Sequence, residues 1–180
     1  KDVARNAAYG LAAVGAAALE GLIEQLDHPS EQTRGYAAYA LGEIGLGGSP
    51  LAEAGVAGLG QLVNDPDPWV RRNTAEALGT LNLATASPAH TARVAAVAQT
   101  LADSDDQVRF TSGLALARIG PAAAAAVPAL QTALQDENRY VRANAVDALN
   151  RIGTPEAQRI LIDYLLGSRW CYSTTPESTF

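Results

Sequence analysis

The segment Thr33-Arg34-Gly35-Tyr36-Ala37-Ala38-Tyr39-Ala40-Leu41-Gly42-Glu43-Ile44-Gly45 decides the fold, because it comes back. It returns as Val70-Arg71 through Leu78-Gly79-Thr80-Leu81, as Val108-Arg109 through Leu116-Ala117-Arg118-Ile119-Gly120, and as Val141-Arg142 through Leu149-Asn150-Arg151-Ile152-Gly153. A degenerate copy opens the chain, with Ala4 in the arginine position, then Leu11, Val14 and Gly15. The register positions 4, 34, 71, 109 and 142 lie 30, 37, 38 and 33 residues apart, the spacing of a repeat array. Counted from the arginine, apolar or small residues fall at −1, +3, +6, +7 and +10, one face of a 3.6-residue helix. Gly15, Gly45, Gly120 and Gly153 stand where a left-handed residue would stop that helix. A second apolar stretch follows each time, over 16–26, 50–63, 88–101, 121–134 and 155–166, and four of the five start at proline. Acidic turns come next (Asp27-His28-Pro29, Asp65 to Pro68, Asp103 to Asp106, Asp136 to Asn138), suited to capping the following helix.

The 180 residues therefore read as a short repeat array, an all-α, right-handed solenoid of about five helical hairpins over 1–166, followed by an irregular tail over 167–180. Composition agrees: 37 alanines and only 6% aromatics favour helices packed at close range over sheets. A formal charge of −6 argues against gripping nucleic acid, which needs a basic stripe. One cysteine excludes a disulfide framework within the chain. No apolar run reaches membrane-span length and no signal peptide is visible, which fits a chain away from the membrane and a cytoplasmic location. Residue 2 opens directly on a second-type helix, and methionine is absent, so the array is expected to be truncated at its N-terminus. The tail, with Trp170, Cys171, Tyr172 and Phe180, is expected to fold over the last repeat. Arginines outnumber lysines twelve to one, and arginine makes the forked carboxylate bonds that suit fixed intramolecular pairs.

Hairpins of this period, with an acidic turn and then Val-Arg, resemble HEAT repeats, more narrowly the short HEAT-like repeats associated with phycobilisome lyases. The resemblance covers residues 2 to about 166. It implies that the arginine-bearing helix is the second of each pair and lines the concave side. It further implies a ladder between neighbouring repeats, for which Asp65, Asp103 and Asp136 with Arg71, Arg109 and Arg142 fit the pattern. Asp27 with Arg34 fits too, whereas Ala4 departs from it.

The chain carries few groups suited to catalysis or metal binding. His28 and His90 lie on different repeats without helical i, i+4 partners, and the His-Glu motifs of HEAT-like hydroxylases are missing, so no metal site is expected. Both histidines read as exposed, His28 in a turn and His90 at a helix start. The aspartate clusters lack the spacing of a calcium loop and read as helix caps. Cys171 has no local signature of a nucleophile, and no glycine-rich loop follows a strand. No catalytic residue is assigned. No cofactor is expected, apart from a bilin under the lyase reading given below.

The face at +1, +5 and +9, with +2 beside it, points away from the core and is assigned as the partner-binding concave surface. It comprises Tyr9, Tyr36, Tyr39, Glu43, Arg72, Glu76, Phe110, Leu114, Arg118, Asp147 and Arg151. Tyrosine with arginine is the usual chemistry of interface hot spots; the alternative, that rings fill gaps between helices of an alanine-rich core, applies to Tyr36 more than to Tyr39 and Phe110. Trp69 reads as a packing residue under a turn. Three functions follow. The chain is a non-catalytic scaffold holding a protein or peptide. Alternatively, by resemblance, it is a subunit of a phycobilin lyase or lyase-like chaperone, with Arg72, Arg118 and Arg151 available to propionates. Thirdly, it is an accessory domain of a larger enzyme.

Overall fold

In the computed structural model, the description covers residues 2–46 and 52–169, and every regular element there is helical. Ten α-helices follow in order: α1 (Asp2–Val14), α2 (Leu19–Glu24), α3 (Glu31–Leu46), α4 (Ala52–Leu62), α5 (Pro68–Thr80), α6 (Pro88–Thr100), α7 (Asp106–Ile119), α8 (Val127–Ala133), α9 (Arg139–Ile152) and α10 (Pro155–Arg169). The recurring cassettes are α1, α3, α5, α7 and α9. Each cassette packs chiefly on its counterparts one repeat away, while α2, α4, α6, α8 and α10 touch one another more sparingly. A stack crowded on one side and splayed on the other must curve toward the crowded side. The cassette helices thus form the inner layer.

Helix starts follow the turn chemistry. Asp67 caps α5 by accepting from the N–H groups of Trp69 and Val70, and Asp105 caps α7 from Gln107 and Val108. Asn138 does the same for α9 from Tyr140, and Ser87 for α6 from His90. Between the layers lies the predicted core face. Val70, Leu78, Val108, Leu116, Val141 and Leu149 are fully buried, each contributing about 1.5–3 kcal/mol relative to exposure. Two polar residues share that face without penalty. Thr74 donates to the Val70 carbonyl at 2.9 Å, and Ser112 donates to the Val108 carbonyl at 2.7 Å.

Small side chains set the inner-layer spacing. A β-carbon on Gly42 would stand 2.7 Å from the Ala77 backbone, and one on Gly79 would stand 2.7 Å from that of Ala115. Gly35 lies beneath Trp69, where an added β-carbon would sit 2.0 Å from the indole ring.

Across these contacts runs the ladder. Arg34 grips Asp65 through Nε at 2.6 Å and Nη2 at 3.0 Å. Arg71 grips Asp103 at 2.6 and 2.7 Å, and Arg109 grips Asp136 at 2.7 and 3.2 Å. Each guanidinium is pre-aligned by Nη1, which donates to two carbonyls of its own turn, as Arg71 does to Asp65 and Pro66. The acid belongs to the following repeat in all three pairs, which corrects the expected match of Asp27 with Arg34: Nη1 of Arg34 is held by the His28 and Pro29 carbonyls of its own turn, and its fork goes to Asp65 instead. Arg142 makes the same carbonyl contacts, to Asp136 and Glu137.

Several expectations are corrected. Gly15, Gly120 and Gly153 adopt positive φ, whereas α3 continues through Gly45 to Leu46. The last helix passes Gly167 and runs to Arg169, since that glycine stays helical and nothing earlier breaks the ladder of backbone bonds. The expected folding of the tail over the last repeat falls on residues 170–180, which lie outside the described residues, as does Pro50. The 16–26 and 121–134 stretches each open with a 3-10 segment, at Gly15–Ala18 and Gly120–Ala126. Pro128 explains the second, because it lacks an N–H and so fits only the first turn of a new helix, α8. Residues 106–133 nonetheless form one helical stretch whose length and composition would suffice to cross a membrane, which sequence inspection missed. It is half buried and kinked at Ala123, and supplies helices of both layers. At the other end, Leu11 and Val14 stand 41% and 60% exposed, whereas their counterparts Leu78 and Leu81 are buried.

Two predictions follow from this packing. Burial alone would push the Asp65, Asp103 and Asp136 carboxyls up. The arginine forks, backbone N–H groups and neighbouring charges outweigh it and hold all three below the ordinary carboxylate range. Their contribution is therefore complete above the unfolded pKa of about 3.9 and is lost as pH falls through the lower folded values. Asp103→Asn should cost about 1.5–3 kcal/mol at pH 7, with the gap to wild type shrinking in acid, measured by urea titration at both pH values. Gly35→Ala should cost about 1–3 kcal/mol in thermal melts, and Trp69→Leu in that background should recover part of the loss.

Candidate functional site

The inner face carries the assigned residues unevenly. Tyr9 lies on α1 with its side chain outside the described residues. Tyr36 is half-buried, with its ring edge-on to Trp69 at 5.1 Å and 74°. Tyr39 and Phe110 are also half-buried and rest against the core, which suits both a packing and a contact role. Leu114 and Arg72 are half-buried as well. Asp147 and Arg151 pair with each other along α9 at 2.9 Å, an exposed i, i+4 bridge. Of the neighbouring positions, Gly35 and Thr111 are buried, so the face is narrower than the sequence pattern implied. Asn73 and Asn144 are spent on backbone carbonyls, of Trp69 and Phe110 respectively.

Three assigned residues do converge. Glu43, Glu76 and Arg118, from α3, α5 and α7, line one cleft of about 640 Å³ together with Thr80, Asn82, Thr85 and Arg93. Arg118 spans the repeats to reach Glu76 at 2.7 Å, with both side chains nearly half exposed. Smaller hollows flank Tyr36, one with Trp69 and Asp67 and another with Leu11 and Leu22.

The segment joining α5 to α6 shapes the cleft and brings in two residues that sequence reasoning did not select. His90 is buried, not exposed as its place at a helix start suggested. Its Nε2 faces the Ala122 carbonyl at 3.0 Å, and Arg93 Nη2 lies 3.1 Å from its Nδ1. A carbonyl can only accept, so the proton sits on Nε2 and Nδ1 accepts from Arg93. Arg93 is 5% exposed and donates through Nη1 to the carbonyls of Leu78 and Leu81, closing the C-terminal end of α5. Its Nε has no partner among the described residues, and burial pulls its pKa down from the ordinary arginine value. A signal existed: Arg93 shares the helical period of Val94, Val97 and Leu101, so a charge was due on a core face. Among the described residues no three His, Cys, Asp or Glu side chains gather as a metal site would require.

Comparison with known proteins places this geometry. The chain is similar to a designed armadillo repeat protein solved with the peptide (KR)4, at 19% identity over 96% of this chain and 85% of that one, with a TM-score of 0.65. It is similar to a chain in the complex of CpcE and CpcF of phycocyanin lyase from Nostoc sp. PCC7120, at 24% identity over 79% and 86%, with a TM-score of 0.64. An engineered protein matches at 23% identity over 96% and 83%, also with a TM-score of 0.64. At these identities the likeness establishes the fold alone. No curated protein matches the sequence. The family model described as HEAT repeats, however, matches residues 19–96 and again 94–170, which is most of the chain. On that match, and on hairpins joined by an arginine–aspartate ladder, the chain belongs to the HEAT-repeat family.

Proposed function

We propose that the chain is a non-catalytic scaffold whose inner layer holds a protein or an extended peptide. The observation that carries this reading is the combination on one face of half-buried Tyr39, Phe110 and Leu114 with the polar cleft at Glu43, Glu76 and Arg118. Aromatic side chains lose little conformational freedom on contact, and a rigid ladder fixes their spacing before a partner arrives. Solved neighbours of the same fold bind a peptide or a second protein, which supports the reading by analogy.

A second reading, a lyase subunit or lyase-like chaperone acting on a bilin, draws on the likeness to the phycocyanin lyase complex. Of the three arginines it would use, Arg118 and Arg151 are already paired with Glu76 and Asp147, leaving Arg72. A bilin absorbance change on mixing would favour it over the first reading.

The scaffold reading is tested by affinity capture with the double variant Tyr39→Ala, Phe110→Ala. Captured protein should fall at least about tenfold, as expected when two anchors are lost, while helicity by circular dichroism stays near wild type. Undiminished capture by the folded variant would overturn it.

A further inference from the structure

Two arginines among the described residues are buried, and they are treated differently. Arg109 meets Asp136 at 2.7 Å. Arg93 meets carbonyls and an imidazole nitrogen but no carboxylate, and its Nε donates to nothing. A buried cation without a counter-charge is costly, and a buried donor without an acceptor adds to that cost. Among the described residues no other buried arginine, lysine, aspartate or glutamate lacks an opposite charge. Arg93 nevertheless lines the cleft of about 640 Å³, beside a second arginine, Arg118, and the polar Thr80, Asn82 and Thr85. Arg118 is bound to Glu76, but that bridge is exposed at both ends, so exchanging one carboxylate for another there costs little.

We propose that this cleft is a carboxylate-binding site, in which Arg93 supplies the uncompensated charge and Arg118 a second, exchangeable donor. The site deepens the scaffold reading and rests on it for its context: the polypeptide lying along the inner layer presents an acidic group here. The group is a side-chain carboxylate or a free chain terminus, which share the same chemistry. Glu43, across the same cleft, opposes any anion and sets the limit on affinity.

The test uses the whole 15N-labelled chain and sodium succinate as the probe, with sodium chloride at matched ionic strength as the control. The backbone amides of Asn82 and Thr85 and the Nε–H of Arg93 should shift saturably with succinate and not with chloride. Arg93→Lys keeps the charge but loses the unpartnered Nε–H donor and should weaken binding about fivefold, whereas Glu43→Gln should tighten it about twofold. Should Arg93→Lys fail to fold, Arg118→Gln, an exposed change, should weaken binding about twofold with the fold intact. Peptides ending in a free carboxylate, or amidated and carrying one internal aspartate, then separate the two sources of the group. Absence of a saturable shift, or shifts unaltered in Arg118→Gln, would overturn the site. The probe needs no protein partner. Succinate binding with undiminished capture by the Tyr39→Ala, Phe110→Ala variant would sink the scaffold reading alone, and the converse would sink the cleft alone.

Discussion

The bond between an arginine on one inner helix and an aspartate in the next turn sets the rest of the structure. A single hairpin cannot bury its apolar face, so each repeat must find its neighbour in one register. The forked geometry of Arg34–Asp65, Arg71–Asp103 and Arg109–Asp136 admits only that register. The same aspartates accept the N–H two residues on, as Asp103 does from Asp105. One carboxylate thus shapes its own turn, positions the capping residue of the next helix and receives the preceding repeat. Such a bridge is specific more than it is strong. The greater share of stability lies in Val70, Leu78, Leu116, Leu149 and their neighbours, which the ladder holds in line.

Close approach of the inner helices is the complementary constraint. Glycine and alanine at Gly42–Ala77 and Gly79–Ala115 leave no room for side chains between them, so larger groups of this layer are displaced toward the inner surface. That is the physical origin of the candidate site. Tyr39, Phe110 and Leu114 are half-exposed because they cannot fit between helices spaced by glycine, yet they still cover the alanine-rich seam below. Packing and recognition are two uses of the same rings.

The cleft has a different origin. It opens where the link between α5 and α6 lengthens to Leu81–Ser87, and Arg93 reaches beneath that link to bind its carbonyls. The repeat rule places an apolar core at that height, and the chain departs from the rule with a buried charge and a buried histidine. Departures of this kind from an otherwise regular pattern are where binding chemistry is most often found.

The inner layer and the ladder were legible only through the resemblance to HEAT-like repeats, whereas five copies of Val-Arg with Leu at +7 were enough to read the helices and their order, because helical periodicity and turn chemistry are local properties of the chain. Asp67, Asp105 and Asn138 as caps were legible for the same reason. Depth was not. His90 and Gly35 looked exposed by their place in a helix, and each is buried by something from another part of the chain: the Ala122 carbonyl over His90, the Trp69 ring over Gly35. Convergence was not legible either, since Glu43, Glu76 and Arg118 share a cleft only once three helices are laid side by side. Local rules fixed what each residue does for its own helix; contacts across repeats, which have no local signature, decided which residues face one another.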